Sequence, residues 1–203
     1  MRAYKPLLIV ITILIIDQLT KFWVKSHMFL GEEISITSWF SLHFTENPGM
    51  AFGMVLPGVW GKLFLSAFRL VAVGGGTYFI FHLLKQKAHW GFITAASMIL
   101  AGAIGNMIDG TIYGVIFSDS YMGVARVFPP HGYAGFLQGL VVDMIHVKLF
   151  TFHWDGQLYE FFPFIFNVAD AAITIGVFLI LIFQKSFFKE EVGETVTTTV
   201  EGN

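Results

Sequence analysis

Apolar residues run along this chain in four long blocks, with most polar residues gathered between them. The blocks cover about residues 5–24, 61–84, 91–109 and 162–184. Each offers about 20 mostly apolar residues, the length a helix needs to cross ~30 Å of hydrocarbon. The first block follows Arg2 and Lys5, and its run from Leu7 to Ile16 has the size of a signal-peptide core. No small-x-small cleavage site follows it and DQLTKFWV continues the helix, so it reads as a retained span. Four spans predict both termini on one side. Arg2, Lys5, Lys85, Lys87, Lys185 and Lys189 fall on that side, which the positive-inside bias makes the cytoplasm. The two long connections, about 26–60 and 110–161, then face outward.

Inside those connections the period changes to two. In EISITSWFSLHF, apart from Ser38 and Trp39, one face collects Ile34, Ile36, Phe40, Leu42 and Phe44. The other collects Ser35, Thr37, Ser41 and His43, which predicts a strand with one apolar face. In VKLFTFHWDGQLYEFF the Asp155-Gly156 pair is a hairpin-turn signal between two strand-like runs. Residues 115–139, rich in Gly, Pro and aromatics, read as an ordered inserted loop. The polar tail 189–203 carries no core residues and is expected to be mobile and cytoplasmic, leaving 1–188 as one membrane domain. The fold class is therefore membrane all-α: four transmembrane helices, a small extracytoplasmic β-sheet and an outer insertion.

Composition agrees: 55% of the residues are hydrophobic and 13% charged, with a mean hydropathy of +0.69. Soluble domains carry about 25% charged residues. A net charge of −2 with no basic run gives nucleic acid nothing to bind. The absence of Cys removes disulfides, thiolate catalysis and Cys-based metal sites. Seven His residues show no ligand spacing, so no metal is expected.

Against this apolar background the buried acids stand out. Asp170 is the single charge between Phe161 and Phe183. Near a bilayer centre a carboxylate costs roughly 2.5–3.5 kcal/mol. Counting ~1.5 Å per residue, Asp170 and Asp17 lie at similar depths, on the order of 12 Å below the outer ends of their spans. Asn106 and Asp109 occupy the last turns of the third span. Asp17–Lys21, Asn106–Asp109 and Asn167–Asp170 are spaced to share a helix face, and the small residues of AGAIGN allow close packing there. Asp143, in GLVVDMIHV, can return over the fourth helix to meet Asp170. Two carboxyls in an apolar site share one proton, which suits an aspartic protease.

Structural readings compete with that one. An ion pair suffices for Asp17–Lys21, interhelical hydrogen bonds for Asn106 and Asn167, and snorkelling to the outer interface for Arg69. On physical grounds alone, an aspartate relay in a small ion-coupled transporter stands level with a protease dyad. A relay calls for titratable groups across the whole membrane depth, and the inner halves of the spans carry only His82.

Five blocks together resemble one family. DQLTKFWV, NPGMAFG, GAIGNMIDG, VVDMI and FNVADAAITIG are similar, in order, to the motifs of lipoprotein signal peptidase, or signal peptidase II. The resemblance implies a four-helix aspartic peptidase of the bacterial inner membrane with an outer β-cradle. It implies removal of signal peptides from prolipoproteins, before the diacylglyceryl-modified Cys, by a monomer needing neither metal nor cofactor. It makes Asp143 and Asp170 the dyad and puts Asn47, Gly49 and Ala51 near the substrate. Asn106 and Asn167 would flank the dyad, and Asp17, Lys21 and Asp109 would support it. Two departures stand out. Gly110 occupies a position where the family usually has Arg, with Arg69 and Arg126 as candidate replacements, and the 115–139 stretch is longer than usual.

Overall fold

The computed structural model describes residues 4–48, 58–161 and 163–188. The expected mobile tail lies outside them. The four apolar blocks form α1 (Tyr4–His27), α2 (Gly58–Lys85), α3 (Trp90–Ile108) and α5 (Val168–Phe187). All four are long and apolar enough to cross a membrane. Their flanks expose Leu7, Leu19, Phe64, Val71, Phe178 and Ile182, as lipid-solvated helices do.

α3 stands at the centre, packed against α1, α2 and α5. Its small residues make that possible. A Cβ on Gly102 would lie 2.2 Å from the Ala169 carbonyl oxygen, and one on Gly176 of α5 would lie 2.7 Å from that of Ala95. The two backbones therefore touch, as AGAIGN suggested. Gly102→Ala is expected to cost about 1–3 kcal/mol by forcing α5 away. The check is a lower unfolding midpoint in detergent, and an unchanged one would deny the close contact.

The third apolar helix was expected to end at Asp109. Instead the chain passes through one π-helical turn, Asp109–Tyr113, into a short α4, Gly114–Ile116. The turn leaves both Asp109 and Tyr113 buried. Single π turns often mark functional places in helices. The fourth apolar helix starts later than expected, at Val168. Asn167 is its N-cap in a reciprocal capping box, accepting from the Asp170 N–H while the Asp170 carboxylate accepts from the Asn167 N–H. Asp170 thus sits in the first turn of α5, not deep below its end. Its level with Asp17 survives for another reason: α1 runs ten residues beyond Asp17, to His27, and carries it to the mouth of α5.

The predicted long strand is a hairpin, β1 (Glu33–Ser35) and β2 (Phe40–Asn47). It turns at the two residues that broke the alternation, where Ile36 and Thr37 donate their N–H groups to the Phe40 carbonyl, both at 3.0 Å. With β3 (Val141–Val147) and β6 (Ile165–Phe166) it builds an antiparallel sheet in the order β1-β2-β3-β6. The register steps from Leu42↔Ile145 to Thr45↔Asp143, so β2 holds one extra residue there. β4 (Thr151–Trp154) and β5 (Gln157–Glu160) form the separate hairpin that the sequence signalled. Asp155 and Gly156 turn it with φ of 50° and 73°.

The inserted loop is ordered. The Phe128 N–H donates to the Ile116 carbonyl (2.8 Å), Tyr133 to Phe117 (3.0 Å) and Gly139 to Gly110 (2.9 Å). It covers the fully buried Lys25, whose ammonium pairs with Glu46, donates to Ser120 Oγ at 3.0 Å and lies 4.6 Å from the Tyr133 ring centre. Two apolar clusters result. One, around Val10, Ile80, Leu83, Phe92 and Leu100, fills the helical end. The other, around Val24, Met28, Phe44, Phe117, Val142 and Met144, lies under the sheet. Along α1, Asp17 and Lys21 fall between the two, so a polar layer is sandwiched by apolar ones.

Candidate active site

That layer is a continuous hydrogen-bonded chain. Lys21, on α1, has no exposed side-chain surface and pairs with Asp17 at 3.0 Å and Asp109 at 2.8 Å, both equally buried. Its ammonium also donates to Asn106 Oδ1 at 2.9 Å. An ammonium only donates, so it fixes the Asn106 amide with its oxygen toward α1 and its NH2 toward α5. That NH2 donates to Asp170 Oδ1 at 2.7 Å. Asn167 Nδ2 donates to Asn106 Oδ1 at 3.1 Å and to Asp143 Oδ1 at 2.6 Å. Asn47 Nδ2 donates to Asp143 Oδ2 at 3.1 Å.

Each element has a reason to be where it is. Asp17 Oδ1 accepts from the Ala169 N–H at 2.8 Å, so α5 begins on a carboxylate of α1 that satisfies one of its orphan donors. Asp109 accepts from Gln18 Nε2 at 2.9 Å and from the Val142 N–H at 3.2 Å, which fastens β3 beside the helices. β3 then presents Asp143 to Asn167, the cap of α5. One residue therefore touches both acids: the Asn167 side chain holds Asp143, and its backbone N–H donates to Asp170 Oδ2 at 3.3 Å. Burial, with the Asp170 charge adding to it, pushes the Asp143 carboxyl up to about 7, against the pull of its two asparagine donors. Such a carboxyl holds its proton up to about neutral pH.

Over residues 9–186 the sequence matches the family described as Signal peptidase (SPase) II. This chain belongs to that family. It is 42% identical to the lipoprotein signal peptidase of Porphyromonas gingivalis, over 86% of this chain and 80% of that protein. The lipoprotein signal peptidase of Amoebophilus asiaticus is 31% identical, over 98% and 85%. A solved bacterial membrane enzyme, crystallised in meso, superposes with a TM-score of 0.61 at 25% identity, covering 94% of both chains. A second gives 0.60 at 26%, covering 90% and 94%. Membership decides between the peptidase and relay readings that physical argument left level. The chain is an aspartic peptidase.

Of the residues expected at the peptidase site, Asp17, Lys21, Asn47, Asn106, Asp109, Asp143, Asn167 and Asp170 meet in this one network. Gly49 and Ala51 lie outside the described residues. Two contributions, those of Gln18 and Lys25, escaped the sequence reading. Gln18 donates to both Asp17 and Asp109 (3.1 and 2.9 Å), and its position one residue after Asp17 was the available sign. Lys25 is a buried pillar of the sheet, not merely the end of a span. Arg69 does not snorkel: its guanidinium turns inward to Gly110, with Asp109 and Asp170 as charged neighbours.

The histidines also differ from expectation. Pairing β1 with β2 and β3 gathers Glu33, His43 and His146 on one face of the sheet, with a ligand atom from each within 4.8 Å of the others. Sequence spacing could not reveal this, because the residues come from three strands. Lys148 already pairs with Glu33 and, with the Ser41 hydroxyl, holds that carboxyl down at about 2.

Proposed function

We propose that Asp143 and Asp170 are the catalytic dyad with which this signal peptidase II hydrolyses prolipoproteins just before the diacylglyceryl-modified Cys. The reading rests on one observation: Asn167 holds both carboxyls, one with its side chain and one with its backbone. The ionised acid takes a proton from water as the water oxygen attacks the scissile carbonyl carbon. The protonated acid gives its proton to the carbonyl oxygen, leaving a neutral gem-diol. The intermediate collapses as the amine leaves with a proton from the dyad, and one carboxyl is protonated again. Asn106 and Asn167 keep the pair in register, while Asp17, Lys21 and Asp109 carry the frame. Asn47, Gly49 and Ala51 border the substrate.

An apolar cavity of about 340 Å³ between α1, the sheet and the start of α5 suits a lipid-bearing substrate; Leu19, Trp23, Leu42, Ile145 and Val168 line it. We place the enzyme in the bacterial inner membrane as a monomer. Both termini are cytoplasmic, and the sheet and dyad face the extracytoplasmic side, where the substrate's anchor sets the scissile bond near the membrane surface.

The test is a gel-shift assay in detergent with a diacylglyceryl-modified prolipoprotein and its unmodified precursor. Only the modified form should be cut. The rate should fall as pH rises through about 7, where Asp143 loses its proton. Equal cutting of both forms would remove lipid recognition, and a rate flat from about pH 6 to 9 would remove Asp143 as the acid.

A further inference from the structure

Lys62, Ser66 and Arg69 stand at i, i+4 and i+7 on α2 and so form a polar stripe along the first half of the helix. The first two grip the end of the inserted loop. Lys62 Nζ donates to the Gln138 carbonyl at 3.3 Å and Ser66 Oγ to that of Leu137 at 2.8 Å. The same loop end is bonded to the π turn, Leu137 N–H to the Thr111 carbonyl (3.0 Å) and Gly139 N–H to that of Gly110 (2.9 Å). α2 is thereby registered against the π turn, and the third residue of the stripe is carried over Gly110. A Cβ at Gly110 would lie 3.1 Å from Arg69 Nη1, so the guanidinium fills room that a side chain there would take.

A charge this far inside an apolar helix is a functional candidate by default. The donors around the dyad narrow the function. Asn47, Asn106, Asn167 and Lys21 already direct their side-chain N–H groups at carboxylates or amide oxygens of the network. A peptide entering the site brings carbonyl acceptors, one of which gains negative charge during attack. A guanidinium carries five N–H groups in one plane, enough to hold a carboxylate and a peptide carbonyl together.

We infer that Arg69 is a substrate-binding residue, its guanidinium reaching through the gap at Gly110 to donate to a backbone carbonyl of the signal peptide beside Asp170, with the inserted loop holding it there. This rests on the proposed dyad. The loop thereby acquires a role, as the strap that sets the reach of α2.

The experiment measures kcat and KM on the lipidated prolipoprotein for R69A, R69K, R69Q and the double variant R69A/G110R. D143N and D170N serve as controls, and unfolding midpoints are recorded alongside. R69A is expected to lose about 10²–10³-fold in kcat/KM, the usual effect of removing a carbonyl-directed donor. R69K should recover little, since its ammonium has neither the reach nor the fork. R69A/G110R should regain at least about tenfold, because it returns a guanidinium to the same place from the π turn. If R69A does not fold, R69Q, which retains length and one amide donor, takes its place. Activity within about threefold of wild type in R69A or R69Q, with the dyad variants inactive, overturns the inference alone. So does a loss that R69A/G110R leaves unrepaired, since a merely structural arginine would not be restored from another element. Active D143N or D170N overturns the dyad itself.

Discussion

Asp143→Asn and Asp170→Asn are each expected to abolish prolipoprotein cleavage, by about 10²–10⁴-fold or more, since each removes one half of an acid–base pair. Asparagine keeps the size of the side chain, so the two variants separate chemistry from folding. They should not be equally harmless to the fold. In D143N the new amide must keep its oxygen toward Asn167, whose orientation is set by the Asp170 N–H and Asp143 bonds. Its NH2 then meets the amide of Asn47, at the end of β2, which carries an acceptor oxygen as well as its donor. In D170N both oxygens are claimed by donors that cannot reverse, the Asn167 backbone N–H and the Asn106 amide pinned by Lys21. D170N should therefore unfold at a lower temperature than D143N while both are inactive. Cleavage by either at a rate near wild type would refute the dyad. The reverse order of midpoints would refute the pinning.

Lys21→Met should cause the largest loss of stability. Among the described residues the Lys21 ammonium pairs directly with both Asp17 and Asp109, and all three side chains are fully buried. Methionine matches the length and fills the space, so packing is not the issue. What remains is two carboxylates facing each other with Gln18 as their shared side-chain donor. Breaking a buried ion pair from one side costs about 3–5 kcal/mol, because the stranded charge keeps its desolvation penalty. Asn106 also loses the group that orients it, so activity should fall with stability. Thermal unfolding in detergent, read beside cleavage, measures both. A K21M midpoint within a degree or two of wild type would mean that the triad does not hold the helices together.

Much of the fold was legible because its signals are local. Twenty apolar residues need a helix wherever they stand in a bilayer, and Asp155-Gly156 turns a hairpin whatever surrounds it. The break in alternation at Ser38 and Trp39 is visible in the sequence but looks the same for a flaw in one strand as for a turn between two, because a strand of three residues leaves too short a pattern to show. The helix ends are hidden for a like reason. Apolar residues in Phe161–Phe166 resemble helix, but the Asn167 capping box starts α5 only after them.

Four spans, an ordered insertion and the acids, amides and lysine of the polar layer are all legible in the chain alone. Charged groups in apolar helices are costly enough to announce themselves one at a time. Their partners are set by packing. Asn167 joining Asp143 to Asp170, Asp17 capping α5, and Arg69 filling the space at Gly110 all link residues far apart in the chain. Hydrogen bonds reach about 3 Å and depend on direction. Which donor meets which acceptor is therefore set by the packing of α3 on α5 and the register of β3, and neither has a local signature.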